Sequence, residues 1–135
     1  YLGIDMYALT AALNGIVAQR LLRTVCKRCA REYPPAERER AFMRLARVPG
    51  ENCKLVRGAG CGDCRGTGYK GRQAIAEILV LDDELRRLLA ERSPIALLKE
   101  KAQAAGTRFL RETAMALALR GETTLEKVAR VTVQA

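Results

Sequence analysis

The strongest chemical signals in the sequence are Cys26-Lys27-Arg28-Cys29 and Cys61-Gly62-Asp63-Cys64. Each is a Cys-x-x-Cys pair, and its two-residue spacer lets one short turn present two thiolates to the same metal ion. Zn–S bonds of about 2.3 Å in a tetrahedral arrangement place neighbouring sulfur atoms roughly 3.8 Å apart, a separation that this spacer permits. Four sulfurs complete the tetrahedron and leave no position for water or substrate. The sequence therefore predicts a structural zinc site with four ligands, which are Cys26, Cys29, Cys61 and Cys64.

The cysteine pattern also admits a disulfide and a redox-active Cys-x-x-Cys. The chain has five cysteines, an odd number, no secretory signal stands at its start, and neither pair follows a βαβ pattern. The 31 residues between Cys29 and Cys61 form a long connection for a zinc site, but the entropy of closing a loop grows only logarithmically with its length. Zinc is therefore favoured over both alternatives. The fifth thiol, Cys53, is expected to be a partly buried spare thiol, with a swapped ligand as the alternative.

The size and composition suit one domain, or two small lobes of which one relies on the metal because its own core is thin. The chain has 135 residues. A membrane-spanning helix needs about 18 consecutive apolar residues. Charged residues interrupt every apolar stretch of this chain well before that length is reached. Reduced cysteines are typical of the cytoplasm. We therefore expect a soluble, cytoplasmic protein.

The positive charge is concentrated in one half of the chain. Residues 1–72 hold 14 Lys and Arg against 6 Asp and Glu, whereas residues 73–135 hold 10 against 9. This excess is compatible with a solvated basic surface, a nucleic-acid interface, or a surface facing anionic lipid or phosphate. Tyr69, beside Lys70, is the one tyrosine with the basic neighbour that a base-stacking platform needs, which makes nucleic acid the least favoured of these partners.

The first half of the chain is expected to be helical on both sides of the first cysteine pair. Apolar residues spaced three and four apart predict a helix over residues 7–23, in which Arg20 either lies on the exposed edge or faces a carboxylate or phosphate. A second helical pattern covers residues 36–48. A turn at residues 49–52 and a short strand at residues 54–57 then lead to the second pair.

The second half begins with an apolar strand at residues 74–81 and continues as helices. Asp82-Asp83, Ser93-Pro94 and Thr107 mark three helix starts, and Gly106 and Gly121 mark two helix ends. A capping box at residues 123–126 begins a last short helix. The fold class predicted is mainly α, with a small tetracysteine zinc lobe and one or two short strands.

Four ordered motifs resemble the end of the secretion ATPases that drive type II secretion and type IV pilus assembly. They are IVAQRLLRTVC at residues 16–26, CGDCRGTGYKGR at 61–72, EILVLDDEL at 77–85 and GETTLEKVARVT at 121–132. The resemblance implies the C-terminal fragment of a hexameric, RecA-like P-loop motor that is cytoplasmic and peripheral at the inner membrane. It also implies three regions: residues 1–24 as the tail helix of the ATPase core, 25–72 as the zinc lobe, and 73–135 as a C-terminal helical lobe.

The parts that bind Mg-ATP in this family have no counterpart in these residues. The sequence contains no Gly-x-x-x-x-Gly-Lys-Ser/Thr phosphate loop, no acidic Walker B strand and no histidine. Because the first residue is not a methionine, the chain is interpreted as a piece cut from a longer protein, and ATP and Mg²⁺ are expected to bind only in the full-length parent. No catalytic residue is therefore expected here. Arg20, Lys70 and Arg72 are the residues expected at a subunit interface or facing a phosphate or lipid.

The function expected from this resemblance is assembly and docking within a secretion or pilus machine. The implied partners are an inner-membrane docking protein, the platform of the machine, neighbouring subunits of a homo-hexamer and anionic phospholipid. Two alternatives remain, a zinc-ribbon nucleic-acid-binding module and a zinc module like that of the J-domain co-chaperones. The second alternative is similar in Cys61–Gly68 to a Cys-x-x-Cys-x-Gly-x-Gly repeat, but the residues after Cys29 contain no matching glycines.

Overall fold

The computed structural model describes residues 3–48 and 53–132, so the turn predicted at residues 49–52 lies outside the described residues. The described residues form ten elements: α1 Met6–Ala12, β1 Gly15–Val25, β2 Ala30–Tyr33, α2 Glu37–Leu45, β3 Leu55–Gly58, β4 Tyr69–Val80, α3 Asp83–Ala90, α4 Ile95–Ala104, α5 Leu110–Leu119 and α6 Leu125–Thr132. Strand β1 pairs with β4, and β2 pairs with β3. Helices predominate within the described ranges, as predicted, but strands are more numerous and longer than the one or two short strands expected.

The helix predicted over residues 7–23 is wrong beyond its first turns. Helix α1 ends at Ala12, and an 11-residue strand, β1, begins at Gly15. A side chain at position 15 would crowd the Leu79 carbonyl oxygen, because a Cβ there would lie 3.0 Å from it. Pairing with β4 supplies the backbone hydrogen bonds that a helix would otherwise supply, and tertiary context of this kind overrides local helix propensity.

The helices predicted in the second half are present. At the start of α3, the Asp82 carboxylate accepts a hydrogen bond of 2.8 Å from the Leu85 backbone N–H, which is the predicted cap. Gly106 and Gly121 follow α4 and α5 with φ of 99° and 77°, a conformation that glycine adopts without strain. The start of α6 differs from its predicted capping box, because the Thr123 hydroxyl donates to a distant carbonyl rather than capping the helix.

The chain divides into two compact units, each made of two segments. The first unit comprises Tyr1–Ala18 and Glu77–Phe109, and the second, here called the cysteine unit, comprises Gln19–Ala76 and Leu110–Ala135. Helices α3 and α4 therefore belong to the first unit, whereas α5 and α6 belong to the cysteine unit. This division differs from the boundaries at residues 24/25 and 72/73 that the sequence suggested.

The first unit has a small aliphatic core between its helices. Leu81, Leu85 and Ala102 are buried there, and Leu13, Leu79, Leu89, Leu98 and Phe109 pack against them. Arg86 fixes the end of α1 to α3, since its guanidinium donates to the Thr10 carbonyl and, at 3.1 Å, to the Asn14 side chain.

The cysteine unit buries side chains from both of its segments. Those from the first segment include Leu22, Val25, Met43 and Leu55, and those from the second include Ala114, Met115, Leu125 and Val128. Strands β2 and β3 form an antiparallel ladder in which Ala30 faces Gly58 and Tyr33 faces Leu55. None of the described helices combines the length and apolar character that crossing a bilayer requires.

Candidate metal centre

The four predicted zinc ligands lie in the connections between strands. Cys26 directly follows β1 and Cys29 directly precedes β2, so the first pair forms the turn between these strands. The second pair lies between β3 and β4. The β2–β3 ladder is extended by a hydrogen bond of 2.9 Å from the Ala59 N–H to the Cys29 carbonyl, which brings the second pair alongside the first.

The four sulfur atoms form one compact cluster. All of them lie within 4.8 Å of one another. The Sγ–Sγ distance is 3.8 Å for Cys26 and Cys61, 3.8 Å for Cys29 and Cys64, and 3.7 Å for Cys61 and Cys64. These separations match the roughly 3.8 Å of a tetrahedral Zn–S₄ site. All five cysteines of the chain are free thiols, so the donor set and its spacing fit a zinc ion.

Backbone N–H groups point at two of the sulfurs. The Cys64 sulfur accepts from the N–H groups of Cys61 and Gly68, both at 3.2 Å, and the Cys29 sulfur accepts from Gly60 at 3.3 Å. Gly60 and Gly68 have φ of 96° and 77°, which L-residues rarely adopt. The glycines around the second pair therefore let the chain turn its donors inward, where they stabilise negatively charged sulfur.

Two of the buried thiols, Cys29 and Cys64, differ as acids. Burial raises the pKa of the Cys64 thiol, but hydrogen bonds from the Cys61 and Gly68 backbone and from neighbouring thiols outweigh it and lower the pKa to about 6. Burial raises the pKa of Cys29 to about 11, and the single N–H of Gly60 only partly opposes this. Cys64 is therefore readily held as a thiolate, whereas Cys29 needs a nearby cation to lose its proton.

An ion pair links the second cysteine turn to β4. The Lys70 ammonium lies 2.7 Å from the Asp63 carboxylate, which stands between Cys61 and Cys64. The hydrogen bond from Lys70 lowers the pKa of Asp63, and the same bond raises the pKa of Lys70. Lys70 therefore has a local structural partner in the cysteine turn.

The cysteine turns require a close approach of two backbones. A Cβ placed on Gly58 would lie 2.1 Å from the Gly68 carbonyl oxygen. That same oxygen accepts a hydrogen bond of 2.9 Å from the Cys26 N–H. Gly68 therefore contacts β3 and both cysteine pairs, and no side chain fits between it and Gly58.

The C-terminal Gly-Glu-Thr-Thr motif lies against the strand that leads into the cysteine cluster. The Val25 N–H donates to the Glu122 carbonyl at 2.9 Å. The Thr123 hydroxyl donates to the Arg23 carbonyl at 2.8 Å. One residue further, the hydroxyls of Thr124 and Tyr69 lie 2.8 Å apart. These contacts were missed by sequence reasoning, because a periodic pattern gives no information on residues about 100 positions apart.

Cations hold Tyr69 in place at this junction. The Lys127 ammonium lies 4.8 Å and the Arg23 guanidinium carbon 5.1 Å from the centre of its ring. The tyrosine whose basic neighbour suggested base stacking thus has an internal role in the cysteine unit.

The other predicted site residues lie outside the sulfur cluster. Arg20 is exposed on β1 and donates to the Gln19 carbonyl at 2.9 Å, and Arg72 is exposed on β4. Cys53 is partly buried, with its sulfur 3.9 Å from that of Met43, and is not a member of the cluster.

Comparisons with known proteins place the chain in a family. The model of the family described as Type II/IV secretion system protein matches residues 1–130. The chain is 39% identical over 133 residues to the type IV pilus assembly ATPase PilB of Thermus thermophilus, covering 98% of this chain and 15% of that protein. It is 41% identical to the type II secretion system protein E of Xanthomonas campestris, covering 97% of this chain and 23% of the relative. With the type II secretion system ATPase E of Vibrio cholerae, the identity is 35%, over 97% of this chain and 25% of the relative.

The chain therefore spans about a quarter or less of the length of these relatives. The matches cover nearly all of the described residues, including both cysteine pairs and the C-terminal motif. On this evidence, the chain belongs to the Type II/IV secretion system protein family.

Proposed function

We propose that this chain is the zinc-stabilised C-terminal assembly and docking region of a hexameric ATPase that powers pseudopilus or pilus polymerisation at the inner membrane. The observation that carries the proposal is the cluster of four sulfurs, in tetrahedral spacing, within a chain of this family. In this proposal Cys26, Cys29, Cys61 and Cys64 hold the zinc ion. Such an ion supplies no chemistry to a substrate, because four protein ligands leave it no open position.

The proposed docking role is supported by the elements that meet at the sulfur cluster. The cysteine turns connect β1, the β2–β3 ladder and β4, and the C-terminal motif packs on the same junction through Val25 and Tyr69. A metal clamp there fixes a surface for partners. ATP and Mg²⁺ belong to the full-length parent, so we expect no ATP turnover from this chain alone.

The test of the clamp is zinc content. Purified protein should carry about one zinc per chain, and Cys61→Ser should release it because three thiolates and a hydroxyl bind zinc far more weakly. Cys53→Ser is the matched control, since its sulfur lies outside the cluster. Full zinc in Cys61→Ser, measured by atomic absorption, would refute the ligand assignment.

The docking surface is tested with charge variants. The candidates are Arg20, Lys70 and Arg72, and the partners proposed are an inner-membrane docking protein, the adjacent subunit and anionic phospholipid. Lys70 is a poor position for testing docking, because a negative charge there would also repel Asp63 in the cysteine turn. Arg72→Glu is the better one, with Arg108→Glu, an exposed site in the first unit, as the control of equal charge change.

A lysine or arginine near an anionic membrane contributes about 1 kcal/mol, so Arg72→Glu should weaken sedimentation with phosphatidylglycerol vesicles at low salt by about fivefold or more. Pull-down of the docking protein provides the second arm of the test. Salt-insensitive or absent binding in both arms would leave the basic surface without a docking role.

A further inference from the structure

Two arginines lie directly opposite each other on the β2–β3 ladder. The antiparallel register pairs Arg31 with Arg57, and both residues are exposed. Like charges at opposed positions destabilise a ladder. Nearby, Lys54 forms an ion pair of 3.2 Å with Glu32, but no carboxylate among the described residues pairs with either arginine. The ladder therefore keeps a repulsion that one substitution would remove.

Arg57 is held in position before any partner arrives. Its guanidinium carbon lies 4.6 Å from the centre of the Tyr33 ring. The Tyr33 hydroxyl in turn donates to the Glu39 carboxylate at 2.6 Å. Burial and this hydrogen bond raise the pKa of Tyr33, so that the ring stays neutral. A guanidinium stacked in this way loses less freedom when it binds an anion.

The surroundings of the pair favour carboxylates over a lipid surface. A guanidinium is a planar fork that matches a carboxylate in a bidentate way. Surfaces that bind membranes usually add apolar side chains that enter the headgroup region. The neighbouring register pair on the same face of the ladder is Tyr33 and Leu55, of which Tyr33 is half-buried and Leu55 is buried, so neither adds an exposed large apolar side chain.

We propose that Arg31 and Arg57 form an anion-binding pair that docks an acidic segment of a partner protein, with each guanidinium binding one carboxylate. The inference rests on the proposed function, since it gives the chemistry of a partner for the docking region. It nevertheless concerns a ladder to which Arg20, Lys70 and Arg72 do not belong. Binding of two carboxylates would cancel the repulsion between the arginines, so the complex would be more favourable than the free ladder.

The probe is a fluorescently labelled polyglutamate peptide, titrated with this chain and followed by anisotropy at about 50 to 300 mM NaCl. The variant Arg31→Gln/Arg57→Gln should lose at least about tenfold in affinity at the lowest salt, because it removes two charge-assisted contacts. The control Arg38→Gln/Arg108→Gln changes net charge equally at two exposed sites and should stay within about twofold of the unmodified chain. The thermal midpoint of Arg31→Gln/Arg57→Gln should change little, since relief of the like charges offsets the loss of the contact between Arg57 and the Tyr33 ring.

Two further measurements keep the outcomes distinct. Arg57→Lys retains the charge but removes the planar fork, so it should also weaken peptide binding; full affinity would overturn the paired-fork geometry. If the control Arg38→Gln/Arg108→Gln loses as much affinity for the peptide, the effect is one of net charge alone and the proposal is overturned. Binding to phosphatidylglycerol vesicles without any binding to the peptide would assign the pair to a membrane and overturn it too. Zinc content is measured on every variant. A variant that binds the peptide weakly but keeps its zinc has lost the docking contact and not the metal site.

Discussion

At the scale of single residues, the geometry of the cysteine cluster depends on two glycines without side chains as well as on the four sulfurs. Gly58 and Gly68 approach each other so closely that a single methyl group would meet backbone atoms at 2.1 to 2.6 Å. Backbone cannot move aside as the end of a flexible side chain can. The separation of the two cysteine turns is therefore set by the lack of a side chain on β3.

We predict that Gly58→Ala destabilises the cysteine unit and weakens zinc retention. Overpacking typically costs about 1–3 kcal/mol, and here the cost should lie at the upper end because Gly68 would have to shift away from Cys26. Gly62→Ala is the control, since a Cβ at that position would meet nothing within 4 Å. Urea unfolding and zinc release to a chelator measure the two effects. Equal behaviour of the two variants would contradict the steric account.

At the scale of elements, the sequence predicted the four cysteines that the fold brings together and most helices, but it did not predict β1. The cysteine spacing is local chemistry and needs no knowledge of the rest of the fold. The stretch after Leu13 has apolar residues at spacings that fit a helix. Whether it forms a helix or a strand depends on whether β4 is available to pair with it. Asn14-Gly15 was the local signal that was missed, because this dipeptide often interrupts a helix.

The same limit applies to the assignment of the C-terminal helices. They follow one another in sequence, which suggested a single helical lobe. The hydrogen bonds of Val25 with Glu122 and of Arg23 with Thr123 instead place α5 and α6 in the cysteine unit. Pairings of this kind connect residues distant in sequence, so neither periodicity nor capping residues predict them.

Removal of the metal should therefore affect the C-terminal helices unequally. In Cys61→Ser, or after chelation, backbone amides of α5 and α6 should exchange faster with solvent, because the Tyr69–Thr124 contact follows directly from the second cysteine turn. Amides of α3 and α4 should be unchanged, since these helices pack around Leu81, Leu85 and Ala102 in the other unit. Hydrogen exchange with mass spectrometry resolves the four helices. Uniform protection across all of them would show that the metal holds only its own turns.

At the scale of the whole molecule, charge and apolar surface are distributed differently between the two units. The cysteine unit holds 18 Lys and Arg against 8 Asp and Glu, and the first unit holds 6 against 7. Most exposed large apolar side chains belong to the first unit; they are Ile4, Tyr7, Ile16, Val17, Ile78, Val80 and Ile95. The cysteine unit therefore has an excess of positive charge, and the first unit has most of the exposed large apolar side chains.

This distribution predicts that salt acts on one unit only. Raising NaCl from about 50 to 500 mM screens the mutual repulsion of the cations and should raise the unfolding midpoint of the cysteine unit, while leaving the nearly neutral first unit unchanged. Hydrogen exchange along a denaturant series reports on each unit separately. A fall in the midpoint would mean instead that exposed ion pairs, such as Arg44–Glu37, outweigh the repulsion.

The hydrogen bond between Thr123 and Arg23 also sets an order of events during synthesis. Its two residues are 100 positions apart, and a ribosome adding about 5 to 20 residues per second needs roughly 5 to 20 s to make that much chain. Both cysteine pairs emerge well before the C-terminal motif that packs beside them. If the four cysteines hold zinc as proposed, we expect the ion to bind in this interval, and α5 and α6 to pack against the cysteine turns only afterwards.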